Sequence, residues 1–346
     1  MPAIENVLFI VVDQWRGDTI SFLGHPCVKT PNLDALCRDG VTFRNHYVQG
    51  APCAPARASL LTGQYMMTHR VVQNGIPMDA RHNNLAYELQ RLGYDPALVG
   101  YTTTAQDPRT VPENDPRYRV AGGLMPGWTP VGRLDPAKRP YFDWLRQRGI
   151  EVPDPPEDIW LPTDDSPTAP SRIATENSDT SYATEHGLAY LRGMQGTPWF
   201  LHLGYYRPHP PFIASAPYNT AHDPADTPAP TRAASSAAEA EQHPFLARYI
   251  NMIGKGSFFQ DGQGLCSDMS LEEIASMRAA YYGLIAEVDD HLGRVLDFLK
   301  ASGQYDNTLI MFTSDHGEQL GDHHLLGKLG YFDESYHIPM VIRDPR

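Results

Sequence analysis

The sequence predicts an α/β fold built around a mostly parallel sheet. Two features carry that reading. Residues 6–12 (Asn-Val-Leu-Phe-Ile-Val-Val) and residues 308–313 (Thr-Leu-Ile-Met-Phe-Thr) are apolar runs without polar alternation, the pattern of strands covered on both faces. Stretches with helical periodicity separate these runs and shorter strand candidates, and strands alternating with helices call for helices packed on a parallel sheet.

The elements follow in chain order. After the first strand, residues 32–39 read as a helix. Residues 53–63 read as a short helix, with Pro55 suited to a first turn, good helix formers from Ala56 to Leu61, and Gly63 as its stop. Residues 84–92 form a third helix, ended by Gly93, and residues 97–101 a short strand. A helix at 180–192 precedes a strand at 199–204. The longest helix spans 271–301. Ser270 and Glu273 make a capping-box pattern ahead of it, and Ile274, Met277, Tyr281, Leu284, Ile285, Val288, Leu292, Val295 and Leu299 keep helical spacing along it. Residues 340–343 read as a last strand. Two Pro- and Asp- or Ala-rich stretches, 153–170 and 215–244, read as surface excursions of one domain that wall a pocket, not as linkers between domains.

Composition narrows the function classes. The 346 residues are 41% hydrophobic and 20% charged, an ordinary globular balance, with a formal charge of −13. A strongly acidic chain lacks the basic face that nucleic acid or an anionic membrane requires, so neither is an expected partner. The first apolar run is short and follows Glu5, unlike a secretory leader. Cys27, Cys37, Cys53 and Cys266 show neither disulfide nor zinc spacing. A cytoplasmic protein with free thiols is the expectation.

Cys53-Ala54-Pro55-Ala56-Arg57 carries the chemistry. A cysteine at a helix start feels the positive end of the helix dipole, and Arg57 adds a cation one turn on. A buried structural cysteine and a metal-free thiol phosphatase are the competing readings of Cys53 alone. Asp13 directly follows the first buried strand; Asp315 and His316 follow the strand at 308–313. Ligand crevices of open α/β sheets lie at the carboxyl ends of strands. Two carboxylates and an imidazole delivered there suit a divalent cation.

The spacing Cys-x-Pro-x-Arg with the tail Ser59-Leu60-Leu61-Thr62-Gly63 resembles the formylglycine signature of the sulfatase family, within the alkaline phosphatase superfamily. The resemblance implies an alkaline-phosphatase-like three-layer sandwich. It also implies that Cys53 is oxidised to formylglycine by a formylglycine-generating enzyme, and that one hydroxyl of the hydrated aldehyde attacks sulfur or phosphorus while the other later expels the product. On the same resemblance Asp13, Gln14, Asp315 and His316 hold the metal, with the residue at 53 bridging metal and substrate, and Arg57 steadies the nucleophile. Lys328 binds a substrate oxygen, and His209, in a proline-stiffened loop, contacts the leaving-group oxygen as a general acid. The nitrogen of His316 and the neutral Gln14 favour Mn²⁺ over Zn²⁺ or Ca²⁺. His323 and His324 read as hydrogen-bonding side chains, not as a second metal centre.

Typical members carry Gly-Lys-x-His where this chain has Gly100-Tyr101-Thr102-Thr103. Two cations become hydroxyls, which suits a monoanionic substrate better than a dianion. The pattern is similar to the phosphonate monoester hydrolase and phosphodiesterase branch, in which Asn74, Tyr101 and Thr103 line the pocket. The implied activity is hydrolysis of phosphonate monoesters and phosphate diesters, small anionic esters, with sulfate and sulfonate esters as side substrates. The alternatives are a true sulfatase of small aryl or alkyl sulfates and an inactive, binding-only relative. Relatives continue past the position of Arg346 into a smaller C-terminal subdomain that supplies oligomer contacts in the full-length form. Its absence here leads to the expectation of a single catalytic domain, 1–346, that is truncated.

Overall fold

The computed structural model describes residues 4–115, 122–134 and 137–346. Seven strands form one sheet: β1 (Asn6–Asp13), β2 (Val41–Thr42), β3 (Pro96–Gly100), β4 (Thr129–Arg133), β5 (Phe200–Pro208), β6 (Thr308–Ser314) and β7 (Met340–Arg343). Their order is β2-β7-β6-β1-β5-β3-β4. From β6 to β4 every pairing is parallel; β7 joins β6 and β2 antiparallel at one edge. The mostly parallel α/β sheet expected from the sequence is therefore present.

Six helices matter for the site: α1 (Pro31–Asp39), α2 (Cys53–Thr62), α3 (Leu85–Arg91), α4 (Arg139–Gln147), α5 (Asp179–Gly193) and α6 (Leu271–Ala301). The two apolar runs are buried on both faces for a visible reason. Leu8, Ile10 and Val12 point into a core with α1, α5 and α6, where Leu188, Leu191, Ile285, Val288 and Leu292 pack. Phe9 and Val11 point the other way, onto Ala54 and Ala58 of α2 and Ala86 and Leu89 of α3. Three layers result. Each fully buried Leu, Ile or Val on these faces is worth roughly 1.5–3 kcal/mol. The alanines of α2 matter differently: small side chains let the helix that starts at Cys53 lie close to the sheet.

The long helix has the bounds that its periodicity predicts, with both hydrogen bonds of the Ser270–Glu273 capping box in place. Its Asp289 caps α1 from a distance, accepting from the Asn32 and Leu33 amides at 3.0 and 2.7 Å. Among the elements beyond the sequence reading are β4 and α4. β4 contains Pro130 and Gly132 and is largely exposed, as edge strands that tolerate proline are. α4 buries only Tyr141, Phe142 and Leu145, too short a stripe to stand out beside Arg139, Asp143 and Arg146. Neither excursion hangs free. Ile159 and Trp160 of the first enter a cluster with Tyr141, Phe142 and Tyr182. In the second, the Pro228 carbonyl accepts from Arg278 and the Thr231 amide donates to Asp322. No helix among the described residues is long and apolar enough to cross a membrane.

Glu287 of α6 is buried against the start of α5, where Ser178 donates to it. Burial pushes its carboxyl from 4.5 up to about 7. The folded chain thus holds this proton more tightly than the unfolded one. The associated stability is complete below about 4.5 and is lost as pH rises to about 7. Glu287→Gln should abolish that loss, so that the variant gains on the order of 2–3 kcal/mol relative to the parent between pH 5 and pH 8. Urea unfolding at the two pH values measures this, and parallel stability curves would contradict it.

Candidate active site

Four adjacent strands deliver the candidate residues at their carboxyl ends. β1 ends in Asp13 and leads into Gln14; β6 ends one residue before Asp315; β5 runs to Pro208, next to His209; β3 leads into Tyr101. Val12 is in register with Ser314, and the Asp315 amide donates to the Val12 carbonyl at 3.2 Å, so Asp13 and Asp315 emerge side by side. Gly100 turns β3 toward the same point. Its φ of +105° lies in the left-handed region, and a Cβ there would stand 3.1 Å from the backbone of Gly204 on β5.

Asp13, Cys53, Asp315 and His316 are all buried, and one candidate ligand atom from each lies within 4.8 Å of the others. Cys53 Sγ is 3.1 Å from His316 Nε2 and 4.0 Å from Asp13 Oδ1. His316 Nε2 is 3.6 Å from Asp13 and 3.7 Å from Asp315. The Nδ1 of His316 lies 3.0 Å from the Gly317 carbonyl, which makes Nδ1 the protonated nitrogen. The Nε2 lone pair therefore faces two carboxylates and a sulfur, the tautomer a metal ligand needs. This donor set of oxygen, nitrogen and the residue at 53 fits a divalent cation.

Arg57 braces the two carboxylates. Its Nε donates to Asp315 at 2.8 Å, Nη2 to Asp13 at 3.1 Å and Nη1 to the Tyr101 carbonyl at 3.1 Å, while the guanidinium lies 4.3 Å from the centre of the Tyr101 ring. These bonds run to the carboxylates and the backbone, not to Cys53. Tyr101 donates its hydroxyl to Asp13. Burial works against charge on Asp13, yet the neighbouring cations Arg57 and Lys328 help hold its carboxyl below the ordinary value.

The remaining expected residues surround this group. Lys328 Nζ donates to Gln14 Oε1 at 2.6 Å and lies 3.3 Å from His209 Nε2. Gln14 passes its own amide proton to Glu318, whose carboxylate also accepts from the Leu320 and Gly327 amides. Glu318 is a site residue to which the sequence reading assigned no role; a buried acid two residues after His316 was its only signal. His209 Nδ1 is 2.9 Å from the Pro210 carbonyl. Burial, with Lys328 beside it, pushes the imidazole down to about 3, so the ring is neutral and Nε2 accepts from the ammonium. Asn74 Oδ1 accepts from the Ala54 amide at 2.8 Å and so holds the first turn of α2. Thr103 sits at φ +52°, and its buried hydroxyl has no hydrogen-bond partner among the described residues. A β-branched residue in that region costs roughly 1–3 kcal/mol. His323 bonds Glu239 at 2.9 Å and stacks on Phe332, and His324 lies 3.0 Å from the Ala233 carbonyl, both as hydrogen-bonding groups on the second excursion.

A family model for sulfatases matches residues 5–346. The chain belongs to the sulfatase family. It is 55% identical over 350 residues to the multifunctional alkaline phosphatase superfamily protein PehA of Trinickia caryophylli, covering 98% of this chain and 68% of the relative. The solved phosphonate monoester hydrolase of Agrobacterium radiobacter superposes with a TM-score of 0.94 at 47% identity, over 100% of this chain and 68% of that one. An arylsulfatase of Clostridium perfringens is 27% identical over 351 residues, again 98% of this chain and 68% of the relative. Sulfatase-family membership brings metal dependence and a formylglycine made from cysteine, and it accounts for the buried cysteine among metal-ligating groups.

The thiol itself behaves opposite to the simplest expectation. A helix start and a nearby arginine should depress its pKa, but burial and Asp13 push it up to about 12. Unconverted Cys53 is thus a protonated thiol at neutral pH and a poor nucleophile. In metal-free, unconverted protein at pH 8, iodoacetamide should label Cys53 at least ~10-fold more slowly than the same cysteine in urea. Peptide mapping of the alkylated protein reads the two rates; equal rates would mean a thiolate.

Proposed function

We propose that this chain carries the catalytic machinery of a metal- and formylglycine-dependent hydrolase of phosphonate monoesters and phosphate diesters, with sulfate and sulfonate esters as slower substrates. The charge of the site supports it most. Asp13 and Asp315 are matched by Arg57 and Lys328. The two charges of a divalent ion are then balanced by an ionised nucleophile and a single substrate charge. A dianionic phosphate monoester overfills this balance, whereas phosphonate monoesters, phosphate diesters and sulfate esters each carry one charge. The likeness to PehA and to the Agrobacterium hydrolase points the same way.

In this reading Asp13, Gln14, Asp315, His316 and the converted residue 53 hold the ion, and Mn²⁺ suits their oxygen and nitrogen donors best, ahead of Zn²⁺ and Ca²⁺. A bound ion supplies Lewis-acid stabilisation of developing negative charge. Formylglycine, made by a formylglycine-generating enzyme, supplies a hydroxyl nucleophile together with a second hydroxyl that releases the product. The chain's own residues do the rest. Arg57 fixes both carboxylates, and Asn74 orients residue 53 by holding the α2 amide next to it. Lys328 presents its ammonium to a substrate oxygen. His209 contacts the leaving-group oxygen; its Nε2 takes a proton from the bonded Lys328 ammonium and passes it to that oxygen, leaving Lys328 as the amine. The Thr103 hydroxyl, without a partner among the described residues, and the amide nitrogen of Asn74 complete the pocket as donors to substrate oxygens, next to Tyr101.

Three measurements test the proposal. The residue-53 peptide of protein made with the converting enzyme should be lighter than the cysteine form by about 18 Da, and protein purified without added metal should contain manganese; a calcium-only protein would overturn the metal assignment. Turnover should favour an aryl phosphonate monoester over an aryl sulfate by at least ~10-fold in kcat/KM. The reverse preference would make the protein a sulfatase in the strict sense.

A further inference from the structure

The loop that carries His209 is anchored in an unusual way, and its sequence explains why. Pro208, Pro210 and Pro211 have no amide protons, so the segment cannot be held by a backbone ladder. Its one amide, that of His209, donates to the Tyr206 carbonyl at 3.1 Å, and its carbonyls supply the remaining handles. Pro210 O lies 2.9 Å from Nδ1 of His209 itself. The other two, His209 O and Pro211 O, both accept from Nη1 of Arg207, at 3.1 and 2.8 Å.

Arg207 is in turn fixed by one buried carboxylate. Its Nε donates to Asp179 Oδ1 at 3.0 Å, and Lys138 donates to the other oxygen at 3.2 Å. Asp179 and Arg207 are 1% and 3% exposed and Lys138 is 7% exposed. The Lys138 ammonium lies 3.6 Å from the centre of the Tyr206 ring and 3.9 Å from that of Trp160. Tyr206 packs its ring on His209, with centroids 4.6 Å apart. Asp179 therefore reaches His209 twice: through Arg207 onto the backbone, and through Lys138 and Tyr206 onto the imidazole. Burying two cations and a carboxylate is a poor way to gain stability, since apolar residues of similar volume often do as well. It is a good way to hold an orientation.

We propose that Asp179, seated at the start of α5, is a positioning residue that aims His209 at the leaving-group oxygen. This rests on the assignment of His209 to the leaving group made above. Misplacing such a group should matter most when the leaving group most needs help. The test uses formylglycine-bearing, metal-loaded protein and a series of aryl phosphonate monoesters whose phenols span a range of acidity. Asp179→Asn should lower kcat/KM by roughly 10–100-fold for the least acidic phenol and within ~3-fold for the most acidic. His209→Asn should show the same steepening, and the double variant should be no worse than His209→Asn alone within ~3-fold.

The outcomes separate the two claims. If His209→Asn is itself insensitive to the leaving group, the His209 assignment falls and the positioning role with it. If His209→Asn steepens the series but Asp179→Asn lowers all substrates equally, or the two losses multiply in the double variant, only the positioning role falls. Should Asp179→Asn fail to fold, Lys138→Met and Lys138→Arg decide: the first keeps the volume without the charge and should steepen the series, and the second should restore it. A flat response to Lys138→Met would then overturn the proposal.

Discussion

Asp13 and Asp315 emerge side by side from neighbouring parallel strands, and one buried guanidinium, that of Arg57, joins them. Two buried carboxylates at such range repel and resist ionisation. Arg57 offsets both, and its third bond to the Tyr101 carbonyl ties the end of β3 to the same point. Because Arg57 lies one turn along α2 from Cys53, the brace that neutralises the carboxylates also sets where residue 53 stands. The fold around it follows: a helix of small residues close to the sheet, and two central strands in register at their ends.

A further set of hydrogen bonds works on the side of the site that would receive the ester. Gln14 links Lys328 to Glu318, and Glu318 gathers the amides of the loop that brings Lys328 in. The His209 loop is held mainly through its carbonyls, by Arg207, because three prolines leave it a single amide, that of His209. Both functional side chains thus sit on irregular backbone made rigid by buried charge. This suits chemistry in which the protein must hold donors still while charge moves between oxygens.

Much of this was legible beforehand, and the reasons differ by residue. The central strands could be read because burial on both faces leaves an unbroken apolar run, and the long helix because its stripe persists for many turns. β4 was not legible, since an exposed edge strand with Pro130 and Gly132 has neither pattern. Asp13, Cys53, Asp315 and His316 could be read because each follows a recognisable element boundary. Glu318, Asp179, Arg207 and Lys138 had no role assigned in advance, because their function lies in partners distant in sequence: Lys138 meets Asp179 and Trp160 only after α4, α5 and the 153–170 excursion have packed together.

The order of residues along the chain determined the chemistry on offer: a cysteine at a helix start, acids and an imidazole at strand ends, and hydroxyls at 101 and 103 in place of cations. These are local properties, set by covalent identity and short-range periodicity. Tertiary structure decided how each group is engaged. It turned Arg57 from a cation beside the cysteine into a bridge between carboxylates, and it left the Cys53 thiol protonated where its helix position argued for a thiolate. It also neutralised His209 against Lys328. Desolvation and Coulomb interaction depend on what lies within a few ångströms in space, and neighbours in space are settled only when the strands and helices close around the site.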